Sequence, residues 1–139
     1  MLTSFRGLMA VTLATAGLSL ATPAMAQSED SGFTTSANVA LTTDYRFRGV
    51  SLSGGDPAIQ GGFDVAHDSG FYIGTWASSI KGGPSYGDVE LDLYAGWSGS
   101  LSDAVGIDVG VLYYMYPTED LGLDTDYIEP YASISANLG

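Results

Sequence analysis

The chain sets sixteen carboxylates against four Lys and Arg side chains over 139 residues, a formal net charge of −12, and it contains no cysteine. A surface this acidic argues against nucleic acid and anionic lipid headgroups as partners, and the missing thiol excludes a disulfide framework and a lipid-bearing cysteine. Acidic disorder is excluded as well, because the two Trp, the nine Tyr and most of the Phe residues fall in alternating runs and not in an aromatic-poor tract.

Residues 1–26 read as a secretory signal: Arg6 supplies the positive start, an apolar run extends from about Leu8 to Leu20, and Ala24-Met25-Ala26 forms the cleavage pattern. Residues 27–36 read as a polar leader, and residues 37–139 as the folded domain. The remaining basic side chains are Arg46, Arg48 and Lys81. Alternation with a period of two then predicts extended strands. The first, 37–48, places Ala37, Val39, Leu41, Thr43, Tyr45 and Phe47 opposite Asn38, Thr42, Asp44, Arg46 and Arg48. A Gly/Ser/Pro-rich loop over 49–57 follows. The second strand, 58–67, sets Ile59, Phe63, Val65 and His67 against Gln60, Asp64 and Ala66, and Asp68-Ser69-Gly70 makes a tight hairpin.

The third strand, 71–80, has two competing phases, Phe71 and Ile73 against Tyr72, Trp76 and Ile80. After a loop over 81–87, residues 88–97 give the clearest pattern in the chain: Asp88, Glu90 and Asp92 on one side, Val89, Leu91, Leu93, Ala95 and Trp97 on the other. Ser98–Asp103 reads as a short return. A fifth strand, 104–116, carries Val105, Ile107, Val109, Val111, Tyr113 and Met115 opposite Gly106, Asp108, Gly110 and Tyr114. After an acidic loop over 117–126, a sixth strand sets Ile128, Ala132, Ile134 and Leu138 against Glu129, Tyr131, Ser133 and Asn137.

At about 3.3 Å per residue the segment 88–97 spans about 30 Å, the thickness of a bilayer's hydrocarbon core. Long connections alternate with short ones, and aromatics gather near strand ends (Tyr45, Phe47, Phe71, Tyr72, Trp97, Tyr113, Tyr114, Tyr116, Tyr127), as amphipathic rings at two interfaces would. The expected fold is all-β: an antiparallel up-and-down transmembrane β-barrel. Six strands fall short of the eight in the smallest bacterial single-chain barrels, so the chain is expected to be the N-terminal part of a longer barrel. A soluble β-sandwich is the alternative.

The polar face predicts the candidate pore lining: Asp44, Arg46, Arg48, Gln60, Asp64, Glu90, Asp92, Asp108 and Glu129. So many carboxylates with two arginines to offset them require a wet wall, which would enrich cations and repel anions. Arg46 and Arg48 either bias that path or brace the wall by pairing with Asp44, Asp64 or Glu90. Chemistry beyond this has little support. His67 stands alone without a second metal ligand or a nucleophile, so no catalytic or metal site is assigned and no cofactor is expected. Asp124-Thr125-Asp126 with Glu119 and Asp120 lacks EF-hand spacing and reads as a solvated loop.

Four stretches resemble a proteobacterial porin family named after TorF: Asp44-Tyr45-Arg46-Phe47-Arg48-Gly49-Val50-Ser51, Pro57-Ala58-Ile59-Gln60-Gly61-Gly62-Phe63, Gly70-Phe71-Tyr72-Ile73-Gly74-Thr75-Trp76-Ala77-Ser78 and Glu90-Leu91-Asp92-Leu93-Tyr94-Ala95-Gly96. The resemblance runs from about residue 36 to the end. It implies a cleaved signal, location in the outer membrane, insertion by the barrel-assembly machinery and passive transfer of small hydrophilic solutes, with no substrate specified and no enzyme activity. A non-conducting structural or adhesin-like barrel, and a secreted sandwich binding a cation or glycan, are the competing functions.

Overall fold

A computed structural model of the chain describes residues 20–27 and 32–136. Its strands are β1 (Leu20–Gln27), β2 (Phe33–Thr42), β3 (Arg46–Phe47), β4 (Val50–Ser51), β5 (Ala58–His67), β6 (Phe71–Ser79), β7 (Val89–Ser102), β8 (Val105–Met115) and β9 (Tyr127–Ala136), with one helical turn, α1 (Gly83–Tyr86). Seven strands form one antiparallel meander in the order β1-β2-β5-β6-β7-β8-β9, and β3 and β4 form a separate two-stranded hairpin. The fold is therefore all-β and antiparallel, and among the described residues the sheet is open, with β1 and β9 at its edges. The expected signal at residues 1–26 lies outside the described residues except for its last part, which falls in β1.

Register keeps the two faces separate across the sheet. Ser36, Asp64, Gly74, Tyr94, Leu112 and Glu129 pair in one continuous row across β2 and β5–β9, so every polar position of that row projects to one side. On the other side Val39, Leu41, Ile59, Phe63, Ile73, Leu93, Val111 and Ile128 are exposed. This settles the phase of 71–80: Phe71 and Ile73 belong to the apolar face, 65% and 60% exposed.

The connections sort by length to opposite ends. At one end lie Asp68-Ser69-Gly70, where Gly70 takes φ 97°, and the two-residue turn Asp103-Ala104. The expected return over Ser98–Asp103 is a turn only at its last residue, Asp103. Ser98, Gly99 and Ser100 continue β7 in register with Asp108, Ile107 and Gly106, and a bulge between Ser100 and Ser102 precedes the turn. Glycine at 99 leaves room for the Trp97 ring, which a Cβ there would meet.

At the other end the connections 43–57, 80–88 and 116–126 are tied together. Lys81 N–H donates to Leu52 O at 2.7 Å, Asp120 N–H to Pro84 O at 3.0 Å, Asp88 N–H to Thr118 Oγ1 at 2.8 Å, and Lys81 pairs with Asp56. The predicted first strand is corrected here. It begins at Phe33 and ends at Thr42; the alternation of 43–48 belongs to a segment that leaves the sheet and folds back as the β3–β4 hairpin.

That fold-back creates the hydrophobic core. Tyr45, Ala58, Ile80, Tyr114 and Tyr116 are buried together, with Phe47, Leu52, Trp76 and Leu112 against them. Tyr45, Tyr114 and Tyr116 thus turn to the polar side and seal it, whereas Tyr113, expected with them in an outward interfacial ring, is exposed beside Leu93 on the apolar face. At the turn end Phe71 stays outward, and Phe33, also exposed, rests its ring on His67 with centroids 4.6 Å apart.

Candidate functional site: the polar face

Strand register brings six of the nine expected residues onto the polar face: Gln60, Asp64, Glu90, Asp92, Asp108 and Glu129. Most of their carboxylates are held by tyrosine hydroxyls, which sequence reasoning missed. Tyr94 OH donates to Asp64, which also accepts from Ser36 Oγ at 3.2 Å. Tyr72 OH donates to Asp108 at 2.6 Å and touches Tyr131 OH. Gln60 is buried and donates to Ser78 Oγ at 3.3 Å.

Cross-strand glycines make these reaches feasible. Gly74 is the register partner of Tyr94, Gly96 of Tyr72 and Gly110 of Tyr131. A Cβ on Gly74 would lie 2.5 Å from the Tyr94 ring, and Cβ atoms on Gly96 and Gly110 would meet the Tyr72 and Tyr131 rings. Each ring therefore lies flat over a glycine and carries its hydroxyl to the next strand. Glycine in a strand marks such close approach, and the aromatic covers the backbone that glycine leaves bare. The signal was present in the sequence as Gly and Tyr at alternate positions of the polar face.

Glu90 and Asp92 differ from the other carboxylates. They are 2% and 1% exposed, sealed beneath the 43–57 connection, so a water-lined wall does not describe them. Glu90 Oε1 accepts from Tyr45 OH at 2.6 Å and Oε2 from Tyr116 OH at 3.3 Å. Burial pushes the Tyr45 hydroxyl far above its ordinary pKa, and the neighbouring Glu90 charge pushes it further; it therefore acts as a donor throughout the physiological range. Asp92 Oδ1 is buried without a hydrogen-bond partner.

The other three expected residues are not on the sheet. Asp44 lies in the fold-back, where its carboxylate accepts from Arg46 Nε at 2.6 Å and Ser51 Oγ at 2.5 Å, with Ser53 Oγ at 3.1 Å. The Ser51 hydroxyl foremost, then Ser53 and Arg46, hold its pKa below the ordinary value against a partial desolvation penalty. Arg46 is thereby spent on Asp44. Arg48, at φ 49°, reaches both oxygens of Glu129 at 3.0 and 3.1 Å and lies 4.7 Å from the Phe47 ring centroid. Both arginines brace the fold-back, Arg48 with Glu129 and not with Asp64 or Glu90.

In the acidic loop, Asp126 accepts from Tyr116 N–H at 3.0 Å and Tyr113 OH at 2.8 Å, and Glu119 from Leu121 and Leu123 N–H at 2.9 and 3.1 Å. Those oxygens close the loop on itself. Among the described residues no group of three or more His, Cys, Asp or Glu side chains converges as a metal-ligand set. His67 bonds to Ser69 through Nδ1 at 2.7 Å.

Fold and site together define an antiparallel β-meander with one apolar face and one face of paired tyrosines and carboxylates. The chain belongs to the family described as "Bacterial protein of unknown function (Gcw_chp)", whose family model matches residues 26–139. No curated protein and no solved structure matches it.

Proposed function

We propose that this chain forms wall strands of an outer-membrane β-barrel, exported through its N-terminal signal and inserted by the barrel-assembly machinery, that passes small hydrophilic solutes with a preference for cations. The observation that carries the reading is the strict separation of faces: large apolar side chains stand exposed along β2 and β5–β9, while the opposite face carries the carboxylates. Exposed apolar area on this scale needs a nonaqueous partner, and lipid is the partner a strand wall of about this length fits. The likeness to the porin family named after TorF supports the same assignment.

The test is reconstitution in planar bilayers under a potassium chloride gradient. The reading predicts conductance with a reversal potential displaced toward that of potassium. A folded, inserted sample that never conducts, or one that favours chloride, overturns it.

One observation favours a second reading, a barrel that is structural and does not conduct: the fold-back over 43–57 covers the polar face at Tyr45. Replacing residues 46–51 with a short Gly-Ser link separates the two. Conductance that rises on removal identifies a channel narrowed by its own loop, and silence before and after identifies the structural barrel.

A further inference from the structure

Glu90 and Asp92 are the two buried carboxylates among the described residues, two positions apart on one side of β7. The described Lys and Arg side chains are all engaged elsewhere, Arg46 with Asp44, Arg48 with Glu129 and Lys81 with Asp56. Among the described residues no Lys or Arg side chain offsets the pair. Glu90 has a tyrosine hydroxyl on each oxygen, whereas Asp92 Oδ1, sealed from water, has no donor. A carboxylate in such a place is disfavoured in its ionised form unless a proton or a counter-charge joins it.

The surroundings of Asp92 say which counter-charge fits. Its cross-strand partners are Trp76 on β6 and Tyr114 on β8, and directly opposed side chains start with their Cβ atoms about 5 Å apart. Tyr45 meets Trp76 edge-on with centroids 5.4 Å apart, and Tyr127 stacks on Tyr114 at 4.3 Å. A carboxylate flanked by aromatic rings suits a weakly hydrated monovalent cation, which gains from both the charge and the ring quadrupoles.

We propose that Glu90 and Asp92, walled by Trp76 and Tyr114 and roofed by Tyr45, bind one small, weakly hydrated monovalent cation, either potassium or a methylated ammonium ion. This deepens the cation preference proposed above and rests on that reading for where the ion travels; occupancy itself is measurable without conduction.

The experiment titrates the protein, folded in detergent micelles, with potassium chloride and separately with tetramethylammonium chloride. Lithium chloride holds the ionic strength constant, and a Trp97→Phe background leaves Trp76 as the reporter. The expected result is a saturable change in Trp76 fluorescence with one or both ions, the effective ion identifying the source. In Asp92→Asn the midpoint should rise at least tenfold or the response vanish. Glu90→Gln, which keeps its size and an acceptor for tyrosine, should weaken binding in the same direction and serves if Asp92→Asn loses its strand signal by circular dichroism. A parent protein without a saturable response, or folded variants with unshifted midpoints, overturns the site. Bilayer recordings on the same samples keep the failures apart: selective conduction with no saturable binding sinks the site alone, and saturable, Asp92-dependent binding without conduction sinks the channel reading alone.

Discussion

The Tyr45 hydroxyl donates a 2.6 Å hydrogen bond to Glu90 Oε1 across 45 positions of the chain, joining the fold-back to the middle of the sheet. Tyr45→Phe keeps the ring and its contact with Trp76 but leaves that oxygen without its donor. A hydrogen bond to a charged group contributes about 1.5–3 kcal/mol, so the unfolding midpoint in urea should fall by that stability. Limited proteolysis within 43–57 should accelerate in parallel. Unchanged cleavage would show that the loop is held by its other contacts.

The rings that lie over glycines make a second prediction. Gly96→Ala puts a methyl where Tyr72 lies, and overpacking of this kind costs about 1–3 kcal/mol. Tyr72→Ala alone loses the Asp108 hydrogen bond. In the double variant the clash with the ring is gone and only that with Val109 O remains, so the combined loss should be smaller than the sum of the two single losses, with a coupling of at least about 0.5 kcal/mol in a double-mutant cycle. Simple additivity would mean that ring and glycine are not in contact.

Acid should release the fold-back. Asp44 has its pKa held below the ordinary value near 3.8, so its contribution is complete above that value and is lost as pH falls through the lower, folded one. Pepsin cleavage within 43–57 should therefore rise as pH drops below about 3.8. Asp44→Asn should be cleaved readily across the same range with no such step. A step that survives the substitution belongs to a different carboxylate.

Much of this architecture is legible in the sequence because a period of two fixes which side chains share a face. Residues 58–67 and 88–97 carry that period cleanly, and β5 and β7 keep the predicted sides. The period cannot say where a strand leaves the sheet. Asp44-Tyr45-Arg46-Phe47 alternates as well as any strand, yet Asp44 gathers Ser51 and Ser53 hydroxyls and Tyr45 is drawn under the loop, so the chain turns back after Thr42. Nor does composition separate a serine-rich turn from a serine-rich strand: Ser98–Ser100 find partners on β8. The tyrosine–carboxylate pairing was hidden for a related reason. Tyr72 and Asp108 lie 36 residues apart, and they meet only once register places Gly96 between them.

If the two faces of one strand meet different media, adjacent residues on β8 will report it. The chain has no cysteine, so Asp108→Cys and Val109→Cys each give a single spin-label site in protein reconstituted into liposomes. The label at 109 should collide more with oxygen, which concentrates in lipid, and the label at 108 more with a water-soluble nickel chelate. Equal access of both labels to the nickel chelate, in a protein that stays dissolved without lipid or detergent, would mean that both faces of β8 meet water and that the strand lies in no membrane.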